Sequence, residues 1–472
     1  MQLSEREKVA HLLRRFGLGA SEAEVDYYGA NGYSDAVDKL LDFEQVDEGF
    51  NVPIDRFAIG ENKQVPMPAF QAWWVLRLIS TRRPLQEKMA VFWHDHFATS
   101  ANKVNQTMLM YGQNEILRSL GTGNFRELLL KVSQDPAMIF WLDNQFNVKG
   151  KANENFAREV MELFTLGIGH YTEKDIQEAA RAFTGWNFRR QLPREVAGDE
   201  RPKAVFAFRA AQHDDGEKTI FGKTGAFTGE DVIDMLCENP QTSKNIVRKI
   251  WEWFAYPNPD EGLVSDLAEK FRNSGLEIKA LLRAVMKAPE FTGAKAVRAV
   301  YKNPVDFIIP TVRQLGIGEA LMRQYKDPTI PGAQAGRGAM QAVTQAMKGM
   351  GMELLFPPDV AGWDSGPAWV TSATMVERIQ WGDRLFGQTS PEARRQVLRY
   401  PFFNLFRANP SPAGVVDTLL SVFDAPLPAA RRAPLVAAAE KVCGNAVTER
   451  NANATAAAVS RLIFGSPEFQ FA

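Results

Sequence analysis

The stretch NENFAREVMELFTLGIGHYTEKDIQEAARAFTGW, residues 153–186, holds two helical patterns separated by a Gly-x-Gly break. Phe156, Val160, Leu163 and Phe164 recur at the spacing of one helix face, which predicts a helix over 154–166. Gly167-Ile-Gly169 stops it. Thr172-Glu-Lys-Asp175 is a capping-box pattern, and Ile176, Ala179, Ala180 and Phe183 follow at i, i+3, i+4 and i+7. Thr184-Gly-Trp186 ends the second helix.

The same reading extends outward. It predicts helices over 4–19, from Ser21 to about Phe43, over 85–97, 105–120 and 124–133, and from Glu230 to about 325. Further helices are predicted over 372–386, 391–398 and 413–424, and within the Ala-rich 428–464. Residues 44–68 and the Gly/Pro/Ala-rich 326–340 read as irregular, and 356–363 as a rigid loop. Only residues 203–226 read as β, with Ala204–Phe208 and Lys218–Gly222 suggesting a small hairpin. The expected fold class is mainly α, a single large multi-helix body with this β-hairpin excursion. Within it, 1–60 is an N-terminal helical segment, 68–325 a core with the candidate site and 326–472 a C-terminal helical part.

Composition narrows the function classes. Lys+Arg is 55 against Asp+Glu 56 in 472 residues, so no basic excess points to nucleic acid as the main partner. With 31 Phe, 10 Trp and 9 Tyr the chain can bury a large core and is not globally disordered. Two cysteines, Cys237 and Cys443, exclude a disulfide scaffold or a cysteine-rich zinc site, and their pairing is left open. No run approaches the length of a membrane span, and the start lacks the apolar stretch of a signal peptide. The chain as given thus reads as cytoplasmic, or as exported if a leader has been removed. Walker A, G-x-G-x-x-G, H-E-x-x-H and G-x-S-x-G are all missing, which removes the common nucleotide, zincin and α/β-hydrolase readings.

Several longer phrases are distinctive: Phe92-Trp-His-Asp-His-Phe97, Asn153 to Gly167, Gly169-His-Tyr-Thr172, Glu178-Ala-Ala-Arg181 with Thr184-Gly-Trp186, and Pro357-Pro-Asp-Val-Ala-Gly-Trp363. With Leu12 to Ala20 near the start and Ser466-Pro-Glu-Phe469 near the end, they resemble the bacterial DUF1800 family. The resemblance covers nearly the whole chain. It implies one large helical unit rather than three independent domains. It supplies no mechanism, since the family is named for its unknown function, and it implies an export leader in many relatives. One departure is visible: the family's Met-Gly-Gln ahead of the Pro-Pro loop is here Met350-Gly-Met352.

The polar residues suggest a site. Asn155, Arg158, Glu159 and Glu162 fall at i, i+3, i+4 and i+7, one stripe opposite the apolar one. Glu159 and Glu162 are within reach of a shared ion or substrate, or form a solvated face with Arg158–Glu162 as an ion pair. His170, in the turn between the two helices, suits a general acid or a metal ligand, or simply a helix-end cap. Asp143 and Asn144 open a polar loop, Asp143–Asn153, that can line a pocket. Trp186 can stack on a sugar or pack the core.

His94 and His96 invite a divalent metal ion, but residues i and i+2 of a helix point about 200° apart, so both reach one ion only if the helix ends at His94. Asp214 and Asp215 before Gly216 suit a turn. The expectation is a hydrolase-type enzyme, metal-assisted or not, with catalytic Glu159, Glu162 and His170. Asp143, Asn144, Asn155, Arg158 and Trp186 would bind a small molecule or saccharide. The rival expectation is a non-catalytic helical binding or assembly protein whose polar motifs are buried hydrogen-bond networks.

Overall fold

The computed structural model describes residues 3–60, 64–192, 195, 203–326, 333–387 and 402–472. Among these there are twenty-three α-helices and two two-stranded antiparallel sheets, so the fold is mainly α. The residues group into two compact units, and neither is contiguous in sequence. One comprises 1–85, 289–354 and 364–472; the other comprises 86–288 and 355–363.

The first unit is built round the helix Met67–Ser80. Its Phe70, Trp74, Val75, Leu76 and Leu78 are all buried, because the helices Pro304–Arg313, Gly318–Lys326 and Ala333–Gly349 pack against it. The helix Ser372–Leu385 packs on Ala452–Phe464, and Gly382 lets their backbones approach: a Cβ there would stand 3.1 Å from Arg461 N. The expected loop over 326–340 is a helix from Ala333 onward, and residues 327–332 lie outside the described ones. Small residues at its start read as breakers, but Met340, Val343, Met347 and Met350 supply a buried stripe. The helix expected over 391–398 also lies outside the described residues.

In the second unit the caps fall where the sequence places them. Thr172 and Asp175 form the reciprocal capping box that opens Glu173–Ala182. Asn153 caps Glu154–Met161. That helix continues as a five-residue π-helical turn, Glu162–Leu166, before Gly167 at φ 84° ends it. The β segments form two ribbons rather than one hairpin. Ala204–Phe208 pairs with Trp186–Arg190, in register Trp186↔Phe208, and Lys218–Ile220 pairs with Lys223–Gly225. Both cysteines are free thiols. Among the described residues no helix is long and apolar enough to cross a membrane.

Candidate functional site

The second unit gathers four of the distinctive phrases at one place. The π-helical turn is the centre. A π turn shifts the hydrogen-bond register, and its last carbonyls need partners from elsewhere. Each finds a side chain. Lys249 Nζ donates to Leu163 O at 3.0 Å, Asn245 Nδ2 to Thr165 O at 2.6 Å and Gln241 Nε2 to Leu166 O at 3.2 Å. These three donors stand at i, i+4 and i+8 along the helix Pro240–Phe254, so one of its faces serves the whole turn. The fourth carbonyl, of Phe164, accepts from His96 Nε2 at 3.2 Å. His96 Nδ1 then accepts from Lys249 Nζ at 3.4 Å, which fixes the ring as neutral with its proton on Nε2.

His94 is held the other way. Its Nε2 accepts from Leu355 N at 3.1 Å, so its proton lies on Nδ1, and its ring meets Trp363 edge-on. Burial pushes its pKa down to about 3, and burial likewise pushes His96 well below the usual range. The two histidines therefore do not converge on an ion as the metal reading required, because both Nε2 atoms are engaged with backbone. Among the described residues, no group of three or more His, Cys, Asp or Glu is placed to hold a metal.

Between them Asp95 Oδ1 accepts from Trp363 N at 2.8 Å. Gly362, at φ 90°, is required there: a Cβ would stand 2.5 Å from Asp95 Oδ1. Burial pushes the Asp95 carboxyl up to about 7, against the pull of the Trp363 N–H and of Lys249. Asp359, on the same loop, is exposed and folds back to take the Ala361 N–H at 2.8 Å.

Glu159 and Glu162 complete the place. Glu159 is half-buried and its pKa is raised, first by burial, then by the charges of Glu162 and Asp359, with Arg158 opposing. Glu162 accepts a hydrogen bond from the Tyr171 hydroxyl. Burial, and then that bond, push Tyr171 up to about 12, so it keeps its proton.

The remaining expected residues divide. Asn155 is exposed and lines an open concavity with Phe146, Lys151, Asn153 and Glu154. Glu159 and Glu162 follow Asn155 along the same face. Arg158 does not pair with Glu162; it makes a two-pronged ion pair with Glu173, at 2.9 and 2.7 Å, and reaches Glu154 at 3.2 Å. Asp143 pairs with Lys103 at 2.7 Å.

Asn144, expected at a binding surface, is instead fully buried. Its Nδ2 donates to Trp186 O at 3.1 Å and its Oδ1 accepts from Asn147 at 3.0 Å, so the polar loop is stitched from within. Trp186 is buried against Phe183 and Phe206 and over Gly229, which leaves no face for a sugar. His170 is exposed, and the neighbouring Tyr171, not His170, reaches Glu162. Asp214 caps its own turn through Gly216 N at 3.0 Å and pairs with Arg181.

Sequence reasoning missed Asp95, Tyr171, Lys249 and Asp359. Asp95, Tyr171 and Asp359 lie within the motifs 92–97, 169–172 and 357–363, so their place in the sequence was the available signal. Lys249 sits in a helix without a motif, and only the i, i+4, i+8 run of Gln241, Asn245 and Lys249 could have marked it.

A mainly α chain whose motifs meet in one carboxylate-rich place defines a structural class without a named chemistry. Residues 11–471 match the model of the family described as protein of unknown function (DUF1800), and the chain belongs to that family. Neither the curated proteins nor the solved structures hold a match to it.

Proposed function

We propose that the protein is a hydrolase-type enzyme using Glu159 and Glu162 as an acid–base pair on a polar, uncharged or cationic substrate, with saccharides the favoured class. The observation that carries this is the contrast in setting between two carboxylates one helical turn apart. Glu159 is held toward its neutral form by burial and by neighbouring negative charge. Glu162 is the acceptor of a tyrosine hydrogen bond. Such a division supplies a proton donor and a proton acceptor on one face.

The charge around the pair supports the substrate class. With Glu159 held toward its neutral form, Glu162 and Asp359 stand against Lys249, while Arg158 is engaged by Glu173 and Glu154, so an anionic substrate would be disfavoured. The concavity at the start of the same helix offers the exposed Phe146 ring beside Asn153 and Asn155, groups that suit the apolar and hydroxyl faces of a sugar. No step requires a metal.

A second reading, a non-catalytic binding or assembly protein, is favoured by one observation. His94, His96, Asn144 and Trp186 are all spent on internal contacts. A hydrolase screen over glycosides, esters and amides separates the two. Activity in the wild type that is lost in Glu162→Gln supports the enzyme. Equal turnover in both proteins, or none in either, leaves the binding reading.

A further inference from the structure

Among the described residues the two most exposed large apolar side chains are Ile168, at 77%, and Phe146, at 67%. They stand at opposite ends of one element. Phe146 shares the concavity at the start of the helix Glu154–Met161 with Asn153 and Asn155. Ile168 follows the π-helical turn Glu162–Leu166 in which that helix ends. Glu159 and Glu162 lie between them.

A single exposed apolar residue is ordinary on a surface. What sets these two apart is that each sits on a braced backbone. Gly167 and Gly169, on either side of Ile168, both have φ 84°, a conformation that residues with a side chain rarely adopt. Beneath them Asn245 and Gln241 fix the carbonyls of Thr165 and Leu166, and the Tyr171–Glu162 bond closes the loop. Phe146 donates its N–H to Asp143 O at 3.1 Å, and on either side of it the buried Asn144 and Asn147 bond to each other. Both side chains are thus held in water by rigid turns, as contact surfaces for a bound molecule would be.

The spacing sets the shape of that molecule. Asn155 and Glu162 are seven residues apart, about 10 Å along a helix, and the turn carries on past Glu162 toward Ile168. One sugar ring cannot touch Phe146 and reach Glu162 at once, whereas an extended chain can. Each end also offers hydrogen-bonding groups beside its apolar one: Asn153 and Asn155 near Phe146, and the exposed His170 near Ile168.

We propose that the substrate is a linear, uncharged saccharide chain lying along this helix, with one sugar on Phe146, another on Ile168 and the scissile linkage between them. The proposal rests on the acid–base reading of Glu159 and Glu162. The chain is cut internally by water, whose hydroxyl joins the anomeric carbon while its other proton goes to the departing oxygen.

The test is calorimetric titration of Glu162→Gln with cello-, malto- and N-acetylchito-oligosaccharides from dimer to hexamer. In one series the affinity should rise with length. Phe146→Ala or Ile168→Ser, added to Glu162→Gln, should each weaken the hexamer by about tenfold and flatten the rise. Both positions are exposed, so both variants should fold. Binding in no series, equal affinity at every length, or hexamer binding untouched by both variants overturns the proposal. A rise with length in Glu162→Gln, with no turnover by the wild type, upholds the two end seats while the acid–base reading fails. Wild-type turnover of dimers as fast as hexamers, lost in Glu162→Gln, keeps that reading and overturns the extended site.

Discussion

Lys249 Nζ donates to the carbonyl oxygen of Leu163 at 3.0 Å and to His96 Nδ1 at 3.4 Å, so one ammonium ties the π-helical turn to the histidine behind it. The turn carries Glu162, and its position therefore depends on a helix nearly ninety residues further along the chain. Lys249→Met removes the donor and leaves a carbonyl and a ring nitrogen without their partner. Charge-assisted bonds of this kind contribute about 1.5–3 kcal/mol, and a loss in that range is expected by urea unfolding. A variant as stable as the wild type would show that the turn holds itself.

If Glu159 and Glu162 form the acid–base pair, their isosteric variants should fail in chemistry rather than in binding. Glu159→Gln and Glu162→Gln are each expected to lower kcat by about 10²–10⁴-fold, the usual contribution of a positioned acid or base. KM should move little. Tyr171→Phe leaves both carboxylates in place and removes only the hydroxyl that Glu162 accepts from. Its loss should be about tenfold, the worth of one hydrogen bond of about 1.4 kcal/mol, with a displaced pH–rate profile. The measurement is steady-state kinetics on whichever substrate the screen returns. A Tyr171→Phe profile that superimposes on the wild type would remove Tyr171 from the site.

The two asparagines expected to bind substrate should behave oppositely. Asn144 is buried and bonds to Phe183 O, Trp186 O and Asn147. Asn144→Ala removes three buried hydrogen bonds, and a loss of about 2–4 kcal/mol is expected. Asn155 is exposed, and its side chain donates to Leu142 O at 3.2 Å. Asn155→Ala should cost under about 1 kcal/mol and, if the concavity seats substrate, should raise KM. Parallel denaturation curves of the two variants check this.

These contrasts show what was legible from sequence. Helix limits were readable because they depend on local chemistry: Thr172 and Asp175 cap each other whatever surrounds them. The face carrying Glu159 and Glu162 was readable for the same reason. Burial was not, because it is decided by residues distant in sequence. Asn144 and Asn155 look alike in a string, yet one is enclosed by Phe183 and Trp186 and the other is open. His170 sits in the right turn by sequence, but the turn geometry gives the contact with Glu162 to its neighbour Tyr171. The π turn left no mark, since its sequence Glu-Leu-Phe-Thr-Leu reads as ordinary helix. Its cause is the row of donors from Gln241 to Lys249.

The most distinctive pH signature should come from Asp135. It is 3% exposed, caps Pro136–Trp141 through Met138 N at 3.1 Å, and accepts from Gln113 Nε2 at 2.9 Å. Burial outweighs those bonds and pushes its pKa up to about 7. The unfolded value is about 3.9. The folded protein thus binds this proton more tightly than the unfolded chain. The stability it contributes is complete below about pH 4 and is lost as the pH rises through about 7. Asparagine at 135 can accept the same bonds and never ionises. The stability of the wild type minus that of Asp135→Asn should therefore fall between pH 4 and pH 7. One pKa unit corresponds to about 1.4 kcal/mol, so the fall should amount to a few kcal/mol at most. Urea unfolding of both proteins at a series of pH values measures it, and subtracting the two curves cancels every other titrating group. A difference that stays flat across that window would mean that Asp135 is ionised in the folded protein throughout, with its bonds to Met138 and Gln113 outweighing its burial.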